Sequence, residues 1–438
     1  MKENIRNLYY YAKFGYDDFR SWAEKDLAQF LFFDFIDDSK KTGGFISLGE
    51  SSFENIKQSV QKYRKHQFFI DVLDKIFFRL CLRQKELGKE KILFQWIKSP
   101  NIILSARQHY STGLILRGKK ERFFAIFNFM GYVALTDLGF YLQKYLTERK
   151  IGYLYELLDK IEERLRAINP QYLVLWNDSF PLERSLILVC KKLGICTIDI
   201  QPGLYSSYTL LDGKVADYKL VWGEYVKDIF VKQNIRKPED IYVLGYPYSL
   251  GGTRPVYKKN KNYTVCYLGQ DYEFFNKELL EIKVDTVKKI ADFCNKTGLR
   301  FMYRPHSGED IGLLHKKIPD VFFVPAKEKL IDTIENADIF ISFDSTSLVE
   351  AALSHKLSLQ LLSYPVETDN FERLGACHKT FQKTEELEDY FSNLFRDPES
   401  IQKPNWKINN YYMETSYNPG KRFLEILFEI KKKKSNLD

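Results

Sequence analysis

At 438 residues the chain is too long for one ordinary core and suits two domains with an extension. A hydrophobic fraction of 45% and a charged fraction of 28% exclude wholesale disorder. The net charge of +8 fits an anionic ligand, an acidic acceptor or an anionic membrane surface and selects none of them. The six cysteines are scattered without a CxxC pair, against both a disulfide framework and a zinc site.

Residues 1–90 read as a helix-rich N-terminal extension. Apolar residues recur at three- and four-residue spacing over 53–64 and 68–88, with Gly43-Gly44 as a loop. From residue 91 short apolar runs alternate with helical patterns. The run 102–106 (IILSA) reads as a strand, 149–168 as an amphipathic helix, and 172–176 (YLVLW) as a strand ending in Asn177-Asp178. A helix over 182–193 stops at Gly194, and the strand 195–200 runs into Gln201-Pro202-Gly203. Strands at 218–222 and 241–244 continue the rhythm, and the Gly-, Pro- and Lys-rich stretch 251–262 reads as a linker.

Beyond it come a strand at 263–268 before Gly269-Gln270, a helix at 278–296, and strands at 301–303, 321–324, 339–342 and 357–362. Strands separated by helices imply parallel, doubly wound sheets. The expected fold is therefore α/β with two facing Rossmann-like domains, residues 91–255 and 256–438. The second would include the C-terminal helix and the basic tail Lys431–Lys434. That tail is either a helix end complementing its dipole or an anchor for peripheral contact with an anionic membrane.

In such sheets ligands bind beyond the C-terminal strand ends. Two loops of the second half are the main candidates. Arg304-Pro305-His306 follows one strand, and Ser345-Thr346-Ser347 opens the helix after another. Backbone N–H groups at a helix N-terminus form an anion site, to which the hydroxyls, Arg304 and His306 would add donors. Against this, Ser345, Thr346 or Asp344 would serve simply as the N-cap. Glu350, about one turn on, is either a ligand for ribose hydroxyls or ordinary first-turn dipole compensation, and Gly269 and Gln270 join this nucleotide-binding set. In the first half, Asp178 is the candidate general base and Glu183 its reserve. Arg107, His109, Gln201 and Gly203 are candidate acceptor contacts, the glycine allowing a tight turn.

No GxxxxGK[ST] loop, HExxH, GxSxG or GxGxxG is present, nor a basic stripe interleaved with aromatics. His315, His355 and His378 lack metal-ligand spacing. The expectation is no metal, no cofactor and no nucleic acid. Residues 1–9 lack the form of a signal peptide, and no apolar run reaches the roughly 18 residues of a membrane span, so a cytoplasmic protein is expected.

The segment 337–360 (ADIFISFDSTSLVEAALSHKLSLQ) and the loop around His306 resemble GT-B glycosyltransferases of bacterial surface-polysaccharide (capsule and lipopolysaccharide) synthesis, above all those using CMP-linked ulosonic acids such as sialic acid or Kdo. His306 matches the histidine of their His-Pro pair, though Ser307 replaces the proline, and Ser345-Thr346 matches their Ser-Ser/Thr pair. The resemblance implies a GT-B-like fold and a metal-independent transfer of a sugar from a nucleotide-sugar donor to a glycan or lipid-linked glycan. It further implies that His306 with Ser345 and Thr346 stabilises the departing phosphate. CDP-glycerol-type polyol-phosphate transferases and UDP-sugar transferases or 2-epimerases are similar over the same stretch. Gln201-Pro202-Gly203 stands where the polyol-phosphate enzymes frequently have Gln-His-Gly. A nucleotide-binding scaffold subunit is the non-enzymatic alternative.

Overall fold

In the computed structural model the described residues are Leu27, Leu31, 90–95, 99–116, 131–134, 138–148, 150–178, 180–205, 215–248, 262–271, 278–306, 308–325, 327–365, 368–394 and 408–435. The expected extension over 1–90 and most of the expected linker therefore lie outside them. The chain divides into two units, one of Met1–Pro202, Leu211–Tyr248 and Thr415–Asp438, the other of Gly203–Leu210 and Ser249–Glu414.

The first unit carries a seven-stranded sheet of β1 (Lys91–Phe94), β2 (Ser111–Leu116), β3 (Gly131–Ala134), β4 (Tyr172–Leu175), β5 (Cys196–Ile200), β6 (Tyr218–Val221) and β7 (Ile241–Val243). Its helices are α1 (Pro100–Arg107), α2 (Leu138–Glu148), α3 (Gly152–Ile168), α4 (Pro181–Lys192) and α5 (Glu224–Lys232). The order is β3-β2-β1-β4-β5-β6-β7, all parallel. Successive side chains leave a strand on opposite faces. Ile92, Phe94, Tyr172 and Val174 thus enter one core, and Leu93, Leu173 and Leu175 the other. On the second face α3 lays down Leu154, Leu157, Ile161 and Leu165, one helical stripe, beside α4.

The run 102–106, expected as a strand, lies within α1. Pro100 starts the helix, and Ile102, Ile103 and Ala106 form its buried stripe. The strands expected at 172–176, 195–200, 218–222 and 241–244 are present as β4 to β7.

The second unit is built on β8 (Thr264–Leu268), β9 (Arg300–Arg304), β10 (Ile339–Ser342), β11 (Leu357–Leu361) and β12 (Lys379–Phe381), ordered β12-β11-β10-β8-β9 and again parallel. Its helices are α6 (Glu278–Lys296), α7 (Ile311–Lys317), α8 (Leu330–Asn336), α9 (Thr346–Leu353) and α10 (Thr384–Leu394). Residues 321–324 contribute only a single bridge, Tyr303 to Phe323, in place of the expected strand. The core joins the strands to Val287, Ile290 and Cys294 of α6 and to Leu387, Phe391 and Leu394 of α10.

The last helix, α11 (Pro419–Ser435), packs on the first unit, which corrects its expected place in the second domain. Phe423, Ile426, Leu427 and Ile430 are each 0% exposed and close the sheet face that α1 also covers. A parallel sheet needs cover on both faces, and each such side chain contributes about 1.5–3 kcal/mol by leaving water. Gly420 lies so close to Ser105 that a methyl group there would collide with it. Two lysines of the terminal run bind the start of the sheet: Lys431 to Glu90 at 3.0 Å and Lys433 to Asp240 at 3.3 Å. Among the described residues no helix is long and apolar enough to cross a membrane.

Candidate functional site

Strand order reverses at β8 in the second unit, so the ends of β8 and β10 form the switch point at which open α/β sheets bind their ligands. Ser342 pins that point, its Oγ donating to the Leu268 carbonyl at 3.0 Å. Helix α9 starts directly beyond β10. Ser345 is its N-cap, with extended backbone and an Oγ that accepts the Ser347 N–H at 3.2 Å. The other cap candidates are engaged elsewhere. Asp344 accepts from the Thr368 hydroxyl at 3.2 Å, and Thr346 Oγ1 accepts the Leu204 N–H at 3.2 Å. Glu350 lies half-buried in the middle of α9.

On the other side of β8, the loop after β9 presents His306, whose side chain is 43% exposed. Its Nδ1 stands 3.3 Å from Oδ2 of Asp271, in the loop after β8. The bond to Asp271 makes the imidazole more basic than an ordinary histidine, against the opposing effect of burial. Burial, the largest single influence, pushes Asp271 upward, but the His306 contact, a backbone hydrogen bond and the Lys283 charge together leave the carboxyl more acidic than usual. The His306 N–H donates to Glu309 Oε2 at 2.6 Å, which fixes the loop's main chain. Gly269 passes so close to the Glu309 carboxylate and the Tyr303 hydroxyl that a Cβ would overlap both. Arg304 turns away from α9, donating to Thr333 Oγ1 at 2.5 Å and to the Glu328 carbonyl at 3.0 Å. It is thus committed to the start of α8, where it braces the sheet edge.

In the first unit the candidates are placed differently from expectation. Asp178 is 0% exposed, and its Oδ2 accepts the N–H groups of Val215 at 2.6 Å and Ala216 at 3.0 Å. Burial alone would raise its pKa, yet Lys219, these two N–H groups and Arg236 lower it. A general base must reach the proton it abstracts, and this carboxylate is closed off by the loop it holds. What it does in the structure is hold the main chain of Val215 and Ala216. Glu183, 1% exposed in the first turn of α4, accepts from Gln95 Nε2 at 2.6 Å. Gln201 is equally enclosed, its Oε1 accepting the Trp222 N–H at 2.8 Å.

Gly203 groups with the second unit, and a Cβ there would meet Thr346 Oγ1 at an ordinary 3.5 Å, so space does not demand glycine. Arg107 and His109 are exposed but sit just before β2, whose first residue pairs with the first of β1. That is the edge where strands begin, opposite the ligand-binding edge, and it removes the expected acceptor contact. His109 lies edge-on to the ring of Phe428 on α11, 6.4 Å between centroids.

No protein-family model and no curated protein sequence matches the chain. Solved structures do. UDP-GlcNAc 2-epimerase from Neisseria meningitidis, bound to UDP-GlcNAc, superposes with a TM-score of 0.51 at 13% identity, over 78% of this chain and 100% of that one. UDP-GlcNAc 2-epimerase from Methanocaldococcus jannaschii, in complex with UDP-GlcNAc and UDP, gives 0.50 at 16% identity, over 78% and 99%. The fold is of the GT-B type.

Within the GT-B frame, Asp271 and Lys283 are the functional candidates that sequence reasoning passes over. Asp271 follows the flagged Gly269-Gln270 directly. Lys283 carries a signal of its own, because it interrupts the stripe of Leu279 and Val287 at four-residue spacing on α6 and is 0% exposed.

Proposed function

We propose that the chain is a glycosyltransferase that holds the phosphate of a nucleotide sugar at the strand-order reversal of its second unit and passes the sugar to a bacterial surface glycan. The observation that carries this reading is the pairing of His306 with Asp271 beside the switch point from which α9 starts. A helix N-terminus and a cationic imidazole both favour a phosphate, and both gain as negative charge develops on the leaving group. Protonated His306 would stabilise that phosphate or give it a proton. With these groups the scheme calls for no metal and no cofactor beyond the donor.

A CMP-linked ulosonic acid is the first donor to test, supported by the resemblance around His306 and Ser345-Thr346. A UDP-sugar is the second reading, supported by the UDP-GlcNAc named for the two similar structures. Asp178 serves in either scheme by holding the residues around Val215. Peripheral contact of a cytoplasmic enzyme with an anionic membrane would fall to Lys432, since Lys431 and Lys433 are committed to Glu90 and Asp240 and Lys434 reaches the side chain of Cys196.

The test is a thermal-shift panel of CMP, CDP, UDP, UMP and GDP on the wild type and on His306→Ala. Ligand at 100 times its dissociation constant stabilises by roughly 2.7 kcal/mol. A CMP-selective shift lost in His306→Ala supports the ulosonic-acid donor. A shift with UDP alone moves the assignment to a UDP-sugar enzyme, and no shift with any nucleotide sinks the donor site.

A further inference from the structure

Helix α6 turns an apolar stripe toward the core of the second unit, with Val284, Val287, Ile290 and Cys294 among its buried residues. Lys283 breaks the pattern, its side chain 0% exposed. A leucine or methionine would continue the stripe, and a buried ion pair is weak evidence for stability, because desolvation offsets most of its attraction. The geometry around the ammonium is more informative. It contacts the backbone carbonyl of Gln270 and Oε1 of Glu309. That same oxygen accepts the Tyr303 hydroxyl at 2.5 Å, while Oε2 accepts the His306 N–H at 2.6 Å.

One buried cation therefore ties together the loops that follow β8 and β9. Through Gln270 it grips the residue next to Asp271, and through Glu309 it grips the main chain of His306. The side chains these loops display stand 3.3 Å apart. We propose that Lys283 and Glu309 form a buried clamp that sets the approach of Asp271 to His306, and so the charge that His306 presents to the donor phosphate. The last clause rests on the function proposed above. The clamp itself does not. Both are positioning residues, since both side chains are fully buried. Among the described residues, the charged groups around the imidazole are Asp271 from the β8 loop, Glu309 from its own loop and Lys283 from α6.

Lys283→Met alone strands a buried carboxylate and risks unfolding the unit, so the test uses the full chain carrying Lys283→Met with Glu309→Gln, which removes both charges together. The readout is the titration midpoint of His306, followed by NMR of labelled histidine and assigned through His306→Gln. Asp271→Asn, with the clamp intact, is the reference for a broken pair. The expected result is a folded double variant whose His306 midpoint falls toward the ordinary value of about 6.5, as in Asp271→Asn. A folded double variant that keeps the wild-type midpoint while Asp271→Asn lowers it overturns the clamp. So does an Asp271→Asn midpoint equal to the wild type. Failure of the donor reading would show in the nucleotide panel, with the midpoints unaffected.

Discussion

Nδ1 of His306 and Oδ2 of Asp271, 3.3 Å apart, belong to loops that leave two adjacent parallel strands, β9 and β8. Neither group is far from water, at 43% and 33% side-chain exposure, so their attraction is a tuning device with a small effect on stability. Its main consequence is that His306 keeps its proton to a higher pH than an ordinary histidine.

The linked stability has a defined window. His306 has a raised folded pKa, so its contribution is complete below the unfolded value of about 6.5 and is lost as pH rises through the folded value. Asp271 has a lowered folded pKa, so its contribution is present above about 3.9 and is lost as pH falls through the folded value. Asp271→Asn should therefore lower the melting temperature most between these limits. The loss should be about 1 kcal/mol or less after solvent screening and should fade above the His306 midpoint. Melting curves across pH 3 to 9 check this, and a deficit that grows above pH 8 would contradict the pairing.

Asp178 makes a sharper prediction. Asp178→Ala leaves two buried N–H groups, of Val215 and Ala216, without their acceptor. Each such group costs about 1–3 kcal/mol, so the variant should lose several degrees of melting temperature. Because the folded pKa is lowered, the stabilisation is present above the unfolded value of about 3.9 and disappears as pH falls through the folded one. Should Asp178→Asn keep the wild-type melting curve and lose all transfer activity, the carboxylate is a base after all.

The misplacement of Asp178 shows where sequence reading stops. A carboxylate after a strand looks the same whether it faces a crevice or clamps a loop, and its two donors lie 37 and 38 residues downstream. The strands β4, β5, β6, β8, β10 and β11 are legible because each is a short, mainly apolar run bounded by turn or helix signals and buried along its length, even where Asp199, Lys219, Ser358 or Gln360 breaks the run. The run IILSA is too short to separate strand from helix by composition, and Pro100 with the Ile102, Ile103 and Ala106 stripe decides for helix. The α9 cap is legible because capping is local. The His306–Asp271 pair is not, since it depends on β9 lying beside β8, a fact of sheet order. The place of α11 depends in the same way on which sheet face lacks cover.

Ser345 offers a test that separates capping from ligand binding. Ser345→Ala removes the acceptor for the Ser347 N–H and should cost about 1 kcal/mol. Ser345→Asp keeps a capping oxygen and suits the helix dipole, but it sets a negative charge where the donor phosphate is proposed to sit. The aspartate variant should melt at or above the alanine variant and show at least about a tenfold weaker nucleotide affinity, roughly 1.4 kcal/mol. Unchanged nucleotide binding by Ser345→Asp would place the phosphate away from α9.

The last prediction concerns α11, the element whose sequence position misleads most. Phe423 is 0% exposed and meets Phe94 of β1, ring centroids 6.0 Å apart, on the sheet face shared with α1. Phe423→Ala should cost about 3–5 kcal/mol. Because the helix belongs to the first unit, the loss should be confined there. Hydrogen exchange should rise in β1, β4 and α1 while β8, β10 and α6 keep their protection, since local opening follows cooperative units. Exchange that rises first in β8 and β10 would return the helix to the second domain. The nucleotide panel on the same variant sharpens the result, because a phosphate site built from α9 and His306 should survive damage confined to the first unit.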